Sequence, residues 1–202
     1  MLSESHLPGT GKTIGVLALQ GGVSEHAETL RGLGAEVVLV KKAEQLQGLD
    51  ALVLPGGESS TIDRLTRILG VRDALKSAIS GGLPTLGTCA GLIMLAREID
   101  DPAPGQQSLG VLDISVGRNA FGSQVDSAEA LLEWRTPAGE VLPVKTAFIR
   151  APRVSSVGEG VEVTARYRGE IVGVRAGNVI GISFHPELTG DTTVHEELLG
   201  LA

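Results

Sequence analysis

The sequence predicts an α/β fold in which a mainly parallel sheet is flanked by helices and extended by antiparallel strands. Up to Asp100, short apolar runs alternate with helix-like segments, the pattern of parallel β-α units. After Asp100, short β-prone runs alternate with Gly and Pro turns, which favours an antiparallel extension. Of the 202 residues, 42% are hydrophobic and only 2% aromatic, so we expect one domain with a closely packed aliphatic core.

A polar segment precedes the first predicted strand. Residues 1–12 include Pro8, Gly9 and Gly11 and predict a flexible leader before a single domain over residues 13–202. The apolar runs that predict parallel strands cover residues 14–19, 36–40, 51–54 and 83–87. The helical patterns between and after them cover residues 25–33, residues 60–80 with a break at Gly70, and residues 90–98.

The second half of the chain predicts further strands. They cover residues 109–116, 144–149, 161–167, 171–176 and 179–184. A short helix is expected over residues 193–199. Residues 129–135 fit either a strand or a helix, and the sequence leaves both open.

Charge and composition argue against several classes of protein. The 17 basic and 24 acidic residues give a net charge of −7 without a basic patch, so nucleic acid is not an expected partner. The longest apolar stretches are too short or too interrupted to cross a bilayer, and we expect a cytoplasmic protein that does not bind a membrane. Cys89 is the single cysteine and cannot form an internal disulfide. We expect neither a metal nor a cofactor.

Cys89 lies in a segment that is typical of a nucleophile on a sharp turn. Gly87-Thr88-Cys89-Ala90-Gly91 joins a predicted strand to a predicted helix, and the flanking glycines permit a tight turn. At a helix N-terminus the helix dipole favours the thiolate, and the amide of Ala90 can face an oxyanion. Cysteine alone is often a buried structural residue. The flanking glycines and the position favour a nucleophile.

A candidate base and its orienting group follow the last predicted strand. Phe184-His185-Pro186-Glu187 places a histidine and a carboxylate two residues apart. In an extended segment these side chains face the same side, so Glu187 can accept from one imidazole nitrogen while the other faces the thiol. His6, His26 and His195 have no matched carboxylate in a comparable context. Cys89, His185 and Glu187 are therefore predicted to form a catalytic triad.

The loop after the third predicted strand supplies further candidates. Pro55-Gly56-Gly57-Glu58-Ser59-Ser60 lies at the carboxyl edge of the sheet, where α/β proteins bind ligands. Its backbone can direct a second amide, that of Gly57, at the oxyanion. Glu58 and Ser59 can meet the ammonium and polar groups of a substrate. The loop is equally compatible with a turn in which Ser59 or Ser60 caps the following helix.

Taken together, these motifs resemble the class I glutamine amidotransferases over residues 14–188. Within that class the chain most resembles the glutaminase subunits of pyridoxal 5′-phosphate synthase. The segments that carry this closer resemblance are Leu17-Ala18-Leu19-Gln20-Gly21, Leu54 to Ser60, Arg118-Asn119-Ala120-Phe121-Gly122, Phe148-Ile149-Arg150-Ala151-Pro152 and Ser183 to Leu188. The resemblance implies a three-layer sandwich with a mainly parallel central sheet.

The resemblance also implies roles for individual residues. Cys89 attacks the glutamine carboxamide, His185 delivers a proton to the departing ammonia, and Glu187 orients His185. The residues expected to contact glutamine are Gly57, Glu58, Ser59, Arg118, Ile149 and Arg150. A guanidinium suits the α-carboxylate of the substrate, although a solvated surface arginine is the ordinary alternative. Ammonia then passes to a (β/α)8-barrel synthase subunit, on which glutaminase activity in the family depends.

Three other functions remain compatible with parts of the pattern. A glutaminase subunit of another pathway, such as histidine biosynthesis, would share the triad and differ in the peripheral segments. A peptidase or thiol hydrolase on the same type of sheet could use the same turn at Cys89, although Glu58-Ser59 and the His-Pro-Glu order argue against it. A regulatory module without activity would have no need of the Cys-His-Glu set.

Overall fold

A computed structural model describes residues 7–118 and 128–202. The described part of the chain contains twelve β-strands and five α-helices. The strands are β1 (Thr13–Leu17), β2 (Glu36–Val40), β3 (Ala51–Leu54), β4 (Thr85–Thr88), β5 (Ala96–Ile99), β6 (Leu112–Gly117), β7 (Ala128–Arg135), β8 (Val141–Phe148), β9 (Arg153–Val157), β10 (Glu162–Tyr167), β11 (Glu170–Ala176) and β12 (Val179–Ile182). The helices are α1 (Val23–Gly32), α2 (Ser59–Ile68), α3 (Arg72–Ser80), α4 (Ala90–Leu95) and α5 (Thr193–Leu201).

Ten strands form one mixed sheet. Its order is β2-β1-β3-β4-β12-β11-β9-β6-β5, with β10 paired to β11. Strands β2, β1, β3, β4 and β12 are mutually parallel. After β12, strands β11, β9 and β6 follow in antiparallel pairings. Strands β7 and β8 form a separate antiparallel pair. This topology confirms the predicted mainly parallel sheet with its antiparallel extension.

Both faces of the central parallel strands β3, β4 and β12 are covered, and the edge strand β2 is partly exposed. In β3, Leu52 and Leu54 face the layer that contains α2, α3 and α4. Ala51 and Val53 face the opposite layer, formed by α1, α5 and the β7-β8 pair. All four residues of β3 are buried. Because β3, β4 and β12 are parallel neighbours, their carboxyl ends lie side by side at one edge of the sheet.

Three details of the second half depend on long-range pairing. The prediction of one helix over residues 90–98 is wrong at its end, because α4 stops at Leu95 and Ala96–Ile99 pairs with β6 as strand β5. Residues 129–135, which fitted either structure, belong to strand β7. Strand β9 (Arg153–Val157) was not predicted. Strands β5, β7 and β9 each pair with a strand from another part of the sequence. The hydrophobic periodicity of a short sequence window does not reveal such pairing.

The beginning of the described chain packs against the domain. The N–H of Gly9 donates to Leu33 O at 2.9 Å, and Lys12 Nζ donates to the carbonyl of Leu199. Residues 1–6 lie outside the described residues, so the flexible leader stays a prediction. In the described part of the chain, no helix has the length and apolar character needed to cross a bilayer.

Asp63 joins α2 and α3 to the loop that leads towards β6. Its carboxylate is buried and accepts from Arg67 Nη2 and Arg72 Nη1, both at 2.9 Å. It also accepts from the backbone N–H of Gln107 at 3.0 Å. Three separate segments of the chain thus depend on one buried charge.

Replacing Asp63 with Ala should destabilise the fold. The change leaves two arginines without their buried anion, which costs about 3 kcal/mol of unfolding free energy. Urea unfolding monitored by circular dichroism measures the loss. Asp73→Ala, which alters an exposed carboxylate on α3, is the matched control and should change the unfolding free energy by less than about 0.5 kcal/mol. Equal midpoints for the two variants would contradict a structural role for Asp63.

Candidate active site

Cys89 lies on a strained turn between β4 and α4. Its backbone has φ 51° and ψ −101°, which is uncommon for a residue other than glycine. The N–H of Cys89 donates to Ile182 O at 2.8 Å, which ties the turn to β12. A Cβ at Gly91 would come within 2.0 Å of the Leu54 carbonyl oxygen, so only glycine fits there. The tight strand-to-helix turn predicted from the glycines is therefore present.

His185 follows β12 and is fixed from two sides. Its N–H donates to Ala147 O at 2.8 Å, and its carbonyl accepts from the Ala147 N–H at 3.3 Å. Its Nδ1 lies 2.7 Å from Oε1 of Glu187. The expectation of an extended His-Pro-Glu segment is wrong, because Pro186–Leu188 forms a short 3-10 helix. Proline is suited to the first turn of a helix, and the two side chains still meet.

The surroundings of His185 favour its protonated ring. Burial alone would lower the pKa of His185, but its hydrogen bonds with Cys89 and Glu187, together with their negative charges, raise this pKa to about 10. Burial likewise tends to raise the pKa of Glu187, whereas the hydrogen bond from His185 and attraction to His26 and His185 hold it below its usual value. The arrangement suits an imidazolium between a thiolate and a carboxylate.

All the residues predicted for catalysis, oxyanion binding and substrate binding line one cavity of about 420 Å³. Cys89 and Ala90 contribute the turn at one wall, and His185 and Glu187 contribute the segment after β12. Gln20 lines the same cavity from the β1-α1 loop. These residues are distant in sequence and meet because the carboxyl ends of neighbouring parallel strands share one edge of the sheet.

The two residues predicted to supply oxyanion amides, Ala90 and Gly57, both line the cavity. Ala90 is the first residue of α4, so its N–H has no acceptor within the helix. Gly57 lies on the β3-α2 loop, where Gln20 Oε1 accepts from the Glu58 N–H at 2.7 Å. The Gly56 carbonyl accepts from the Gly22 N–H at 3.0 Å. The β1-α1 loop thus sets the conformation of the loop that carries Gly57.

Glu58 caps helix α2, in place of the predicted Ser59 or Ser60. Its Oε2 accepts from the Thr61 N–H at 2.8 Å and from the hydroxyls of Ser60 and Thr61. Desolvation opposes ionisation, but these hydrogen bonds hold the pKa of Glu58 below its usual value. The other carboxylate oxygen, Oε1, lies 3.7 Å from Arg118 Nη2, and both residues line the cavity. Glu58 therefore combines a structural role with a negative charge at the cavity.

Gln106 binds two residues that were predicted to contact the substrate, Ser59 and Arg118. Gln106 was not identified from the sequence. Its Nε2 donates to Ser59 Oγ at 2.9 Å, and its Oε1 accepts from Arg118 Nη1 at 3.0 Å. The Arg118 N–H also donates to Asp101 at 2.7 Å. No signal in the sequence marks Gln106, because an isolated glutamine in a polar loop is ordinary. Residues 119–122 of the predicted Arg118 to Gly122 motif lie outside the described residues.

Ile149 and Arg150 enter the cavity from the end of β8. Arg150 has φ 43°, a second strained position at the site. The hydrogen bonds between Ala147 and His185 bring this segment beside the histidine. Within residues 7–118 and 128–202, no ion pair or side-chain hydrogen bond engages the Arg150 guanidinium. Its charge is therefore available to the cavity.

Comparison with known proteins gives the family of the chain. The model of the SNO glutamine amidotransferase family matches residues 16–199. The chain belongs to this family. A Corynebacterium jeikeium protein named pyridoxal 5′-phosphate synthase subunit PdxT is 51% identical over 92% of this chain and 94% of its own length. A protein of the same name from Kineococcus radiotolerans is 52% identical over 91% of each chain.

Solved structures agree with this membership. A crystal structure of a glutamine amidotransferase matches with TM-score 0.86 and 49% identity, covering 93% of this chain and 97% of that chain. PurLQS from Thermotoga maritima matches with TM-score 0.66 at 20% identity over 94% of this chain and 95% of that chain, and supports the fold alone. The predicted resemblance and fold class are confirmed, whereas the roles of individual site residues stay predictions.

The ring of His185 should titrate well above the ordinary histidine range. Its pKa of about 10 depends on contacts with both Cys89 and Glu187. Cys89→Ala and Glu187→Gln each remove one of them, so each variant should lower the midpoint of the titration. NMR of the 15N-labelled imidazole measures the midpoint. If both variants titrated like the wild type, neither contact would stabilise the imidazolium.

Proposed function

We propose that this chain hydrolyses L-glutamine to L-glutamate and ammonia and is the glutaminase subunit of a pyridoxal 5′-phosphate synthase. The observation that carries the reaction is the contact of Cys89 and Glu187 with His185 in the cavity. Family membership supports the same reaction. The pathway is supported by relatives named as pyridoxal 5′-phosphate synthase subunits over nearly their whole length.

The first half of the reaction is acyl transfer to sulfur. The Cys89 thiolate attacks the side-chain carbonyl carbon of glutamine and forms a tetrahedral oxyanion. The amides of Ala90 and Gly57 stabilise this oxyanion. His185 gives its proton to the amide nitrogen, so the C–N bond breaks and ammonia leaves. A γ-glutamyl thioester remains on Cys89.

The second half returns the enzyme to its starting state. Neutral His185 removes a proton from water as the water oxygen attacks the thioester carbon. The C–S bond breaks, which restores the Cys89 thiolate beside a protonated His185. The new carboxylic acid gives its proton to solvent and leaves as glutamate. Glu187 stays ionised throughout and holds the ring through the 2.7 Å contact with Nδ1.

The charges at the cavity suit the amino-acid end of glutamine. The guanidinium of Arg118 is held by Gln106 and can bind the α-carboxylate. Glu58 presents Oε1 beside it and can bind the α-ammonium. Ser59 and the Ile149-Arg150 segment complete the predicted contacts. This arrangement favours a free amino acid as substrate over a peptide, whose α-groups are not charged.

The ammonia should pass to a (β/α)8-barrel synthase subunit. Ammonia in neutral water is mostly protonated and no longer nucleophilic, so transfer within a complex preserves its reactivity. The names of the relatives favour this partner over the synthase of another pathway such as histidine biosynthesis. We also propose a cytoplasmic location, because the nucleophile must remain a reduced thiol.

Glutamate release from L-glutamine by the purified chain, with and without a barrel subunit, tests the proposal. We expect low activity for the chain alone and stimulation of about 10-fold or more by the barrel subunit. The reason is that binding of the partner would align the backbone N–H groups of the oxyanion hole. Equal activity with and without the barrel would reassign the pathway and keep the glutaminase. No activity in either condition would favour a thiol hydrolase or a regulatory module. Cys89→Ala should be folded and inactive, and is the negative control.

Arg118→Leu should weaken glutamine binding. Loss of one charge-assisted hydrogen bond to the α-carboxylate should lower kcat/KM by about 10- to 100-fold. The effect should fall mainly on KM, because the α-carboxylate is remote from the reacting carbon. Steady-state kinetics of the complex measure it, with Arg166→Leu, an exposed arginine on β10, as the matched control. An unchanged KM for Arg118→Leu would exclude Arg118 from the substrate site.

A further inference from the structure

Two buried histidines lie behind Glu187. His26 comes from α1 and His195 from α5, and both residues are 0% exposed. Nδ1 of His26 lies 2.9 Å from Nε2 of His195. Nε2 of His26 lies 3.5 Å from Oε1 of Glu187. A continuous line of polar groups therefore runs from Cys89 through His185, Glu187 and His26 to His195, although neither of the last two has a matched carboxylate in a sequence context like that of His185.

Burial keeps both histidines neutral. Burial lowers the pKa of His26 to about 3, although the negative charge of Glu187 acts to raise it. Burial also lowers the pKa of His195 to about 4. A positive charge on His185 or on His195 lowers the pKa of His26 further. A neutral imidazole carries one N–H, so each ring donates from one nitrogen and accepts at the other. The contact between the rings therefore has two possible tautomer arrangements.

The two arrangements differ in what faces the carboxylate. If His26 donated its Nδ1–H to His195, the lone pair on its Nε2 would face the negative Oε1 of Glu187, which is repulsive. If His195 donates its Nε2–H to Nδ1 of His26, the Nε2–H of His26 faces Oε1. Nδ1 of His195, which has no hydrogen-bond partner among the described residues, is then an acceptor and not an unpaired donor. The carboxylate therefore selects the second arrangement.

We propose that His26 is a positioning residue for the glutaminase reaction, in which its Nε2–H holds the Glu187 carboxylate in place while His195 sets the tautomer of His26. The inference rests on the proposed function, because that function makes Glu187 the group that orients His185. His26 contacts neither the substrate nor the reacting atoms. It acts through Glu187.

Glu187 requires such a donor. Its side chain is 2% exposed, and Oε2 has no hydrogen-bond partner within the described residues. Burying a carboxylate is costly unless donors compensate for the lost water. His185 Nδ1 at 2.7 Å and His26 Nε2 at 3.5 Å both face Oε1. At 3.5 Å His26 Nε2 makes no hydrogen bond among the described residues, so its contact with Oε1 is electrostatic in the free protein. Catalytic contacts of this kind often tighten on substrate binding.

Two simpler roles do not account for the histidine pair. Among residues 7–118 and 128–202, no group of three or more His, Cys, Asp or Glu side chains is placed to hold a metal ion. Packing alone would not require polar side chains, since α1 and α5 bury Leu30 and Leu198 in the same layer. An apolar side chain would occupy the space of His26 without the desolvation that an imidazole requires. The pair is therefore explained by its contact with Glu187.

The two variants His26→Leu and His26→Gln separate the hydrogen bond from the packing. Leucine removes the donor, whereas the Nε2 of glutamine can replace the imidazole Nε2. In the complex with the barrel subunit, we expect kcat to fall about 10- to 100-fold in His26→Leu, the range for one lost hydrogen bond to a charged group. KM should change little. His26→Gln should recover most of kcat.

A second measurement is independent of turnover. Cys89 and Glu187 contact the His185 ring, and Glu25, Glu58, Arg118 and Arg150 line the same cavity. The His26 variants alter none of these residues, so the titration of the His185 ring reports how firmly Glu187 is held. NMR should show its midpoint lowered by about one pH unit in His26→Leu, the equivalent of a tenfold loss of interaction, and restored in His26→Gln. Leu30→Ala, which removes a buried apolar side chain of the same helix, should lower stability and leave the midpoint unchanged.

The outcomes distinguish this inference from the proposed function. Equal kcat and equal His185 midpoints in the Leu and Gln variants would overturn the role of His26. A wild-type complex that hydrolyses no glutamine would overturn the proposed function, while the titration would still decide whether His26 acts on Glu187. If the His26 variants fail to fold, His195→Leu tests the same line from α5. A lowered midpoint there supports the inference, and an unchanged one contradicts it.

Discussion

The site depends on the close backbone packing around the turn at Cys89. The Cys89 N–H donates a hydrogen bond to the Ile182 carbonyl of β12, and Gly91 packs against the Leu54 carbonyl of β3. These contacts hold the residue at φ 51°, a conformation that an isolated chain would rarely adopt. Because β3 and β12 flank β4, the same contacts bring the loop with Gly57 and the segment with His185 to the thiol. The geometry of the cavity follows from the order of these strands.

A second constraint is the burial of charge beside that turn. Glu187 lies almost fully inside the protein, where an ion without donors would be unstable. His185 supplies one donor and a compensating positive charge, and His26 faces the same oxygen. The antiparallel extension contributes as well, because Ala147 at the end of β8 pairs with His185 and places Arg150 at the cavity. Residues from both halves of the chain thus contribute charged and polar groups around Glu187 and His185.

Sequence reasoning succeeded where a local rule governs the structure. The strands Glu36–Val40 and Ala51–Leu54 were predicted with their observed bounds from their apolar runs. The run in Ala51–Leu54 is continuous because this strand is covered on both faces. It failed where partners are distant. Residues 96–99 form a strand because β6 is available beside them, and Pro186 bends a segment that was expected to be extended. Gln106, His26 and His195 became candidates only when their neighbours were known.

The sequence by itself determined the family of chemistry: glycines around a single cysteine, a histidine with a carboxylate two residues later, and a Pro-Gly-Gly loop after an apolar strand. Such signals are local, because tight turns and helix starts depend on a few adjacent residues. The tertiary structure alone decided which side chains share the Glu187 carboxylate and which glutamine holds Arg118. Those contacts join residues from separate helices, strands and loops, and their distances depend on packing across layers that no sequence window contains.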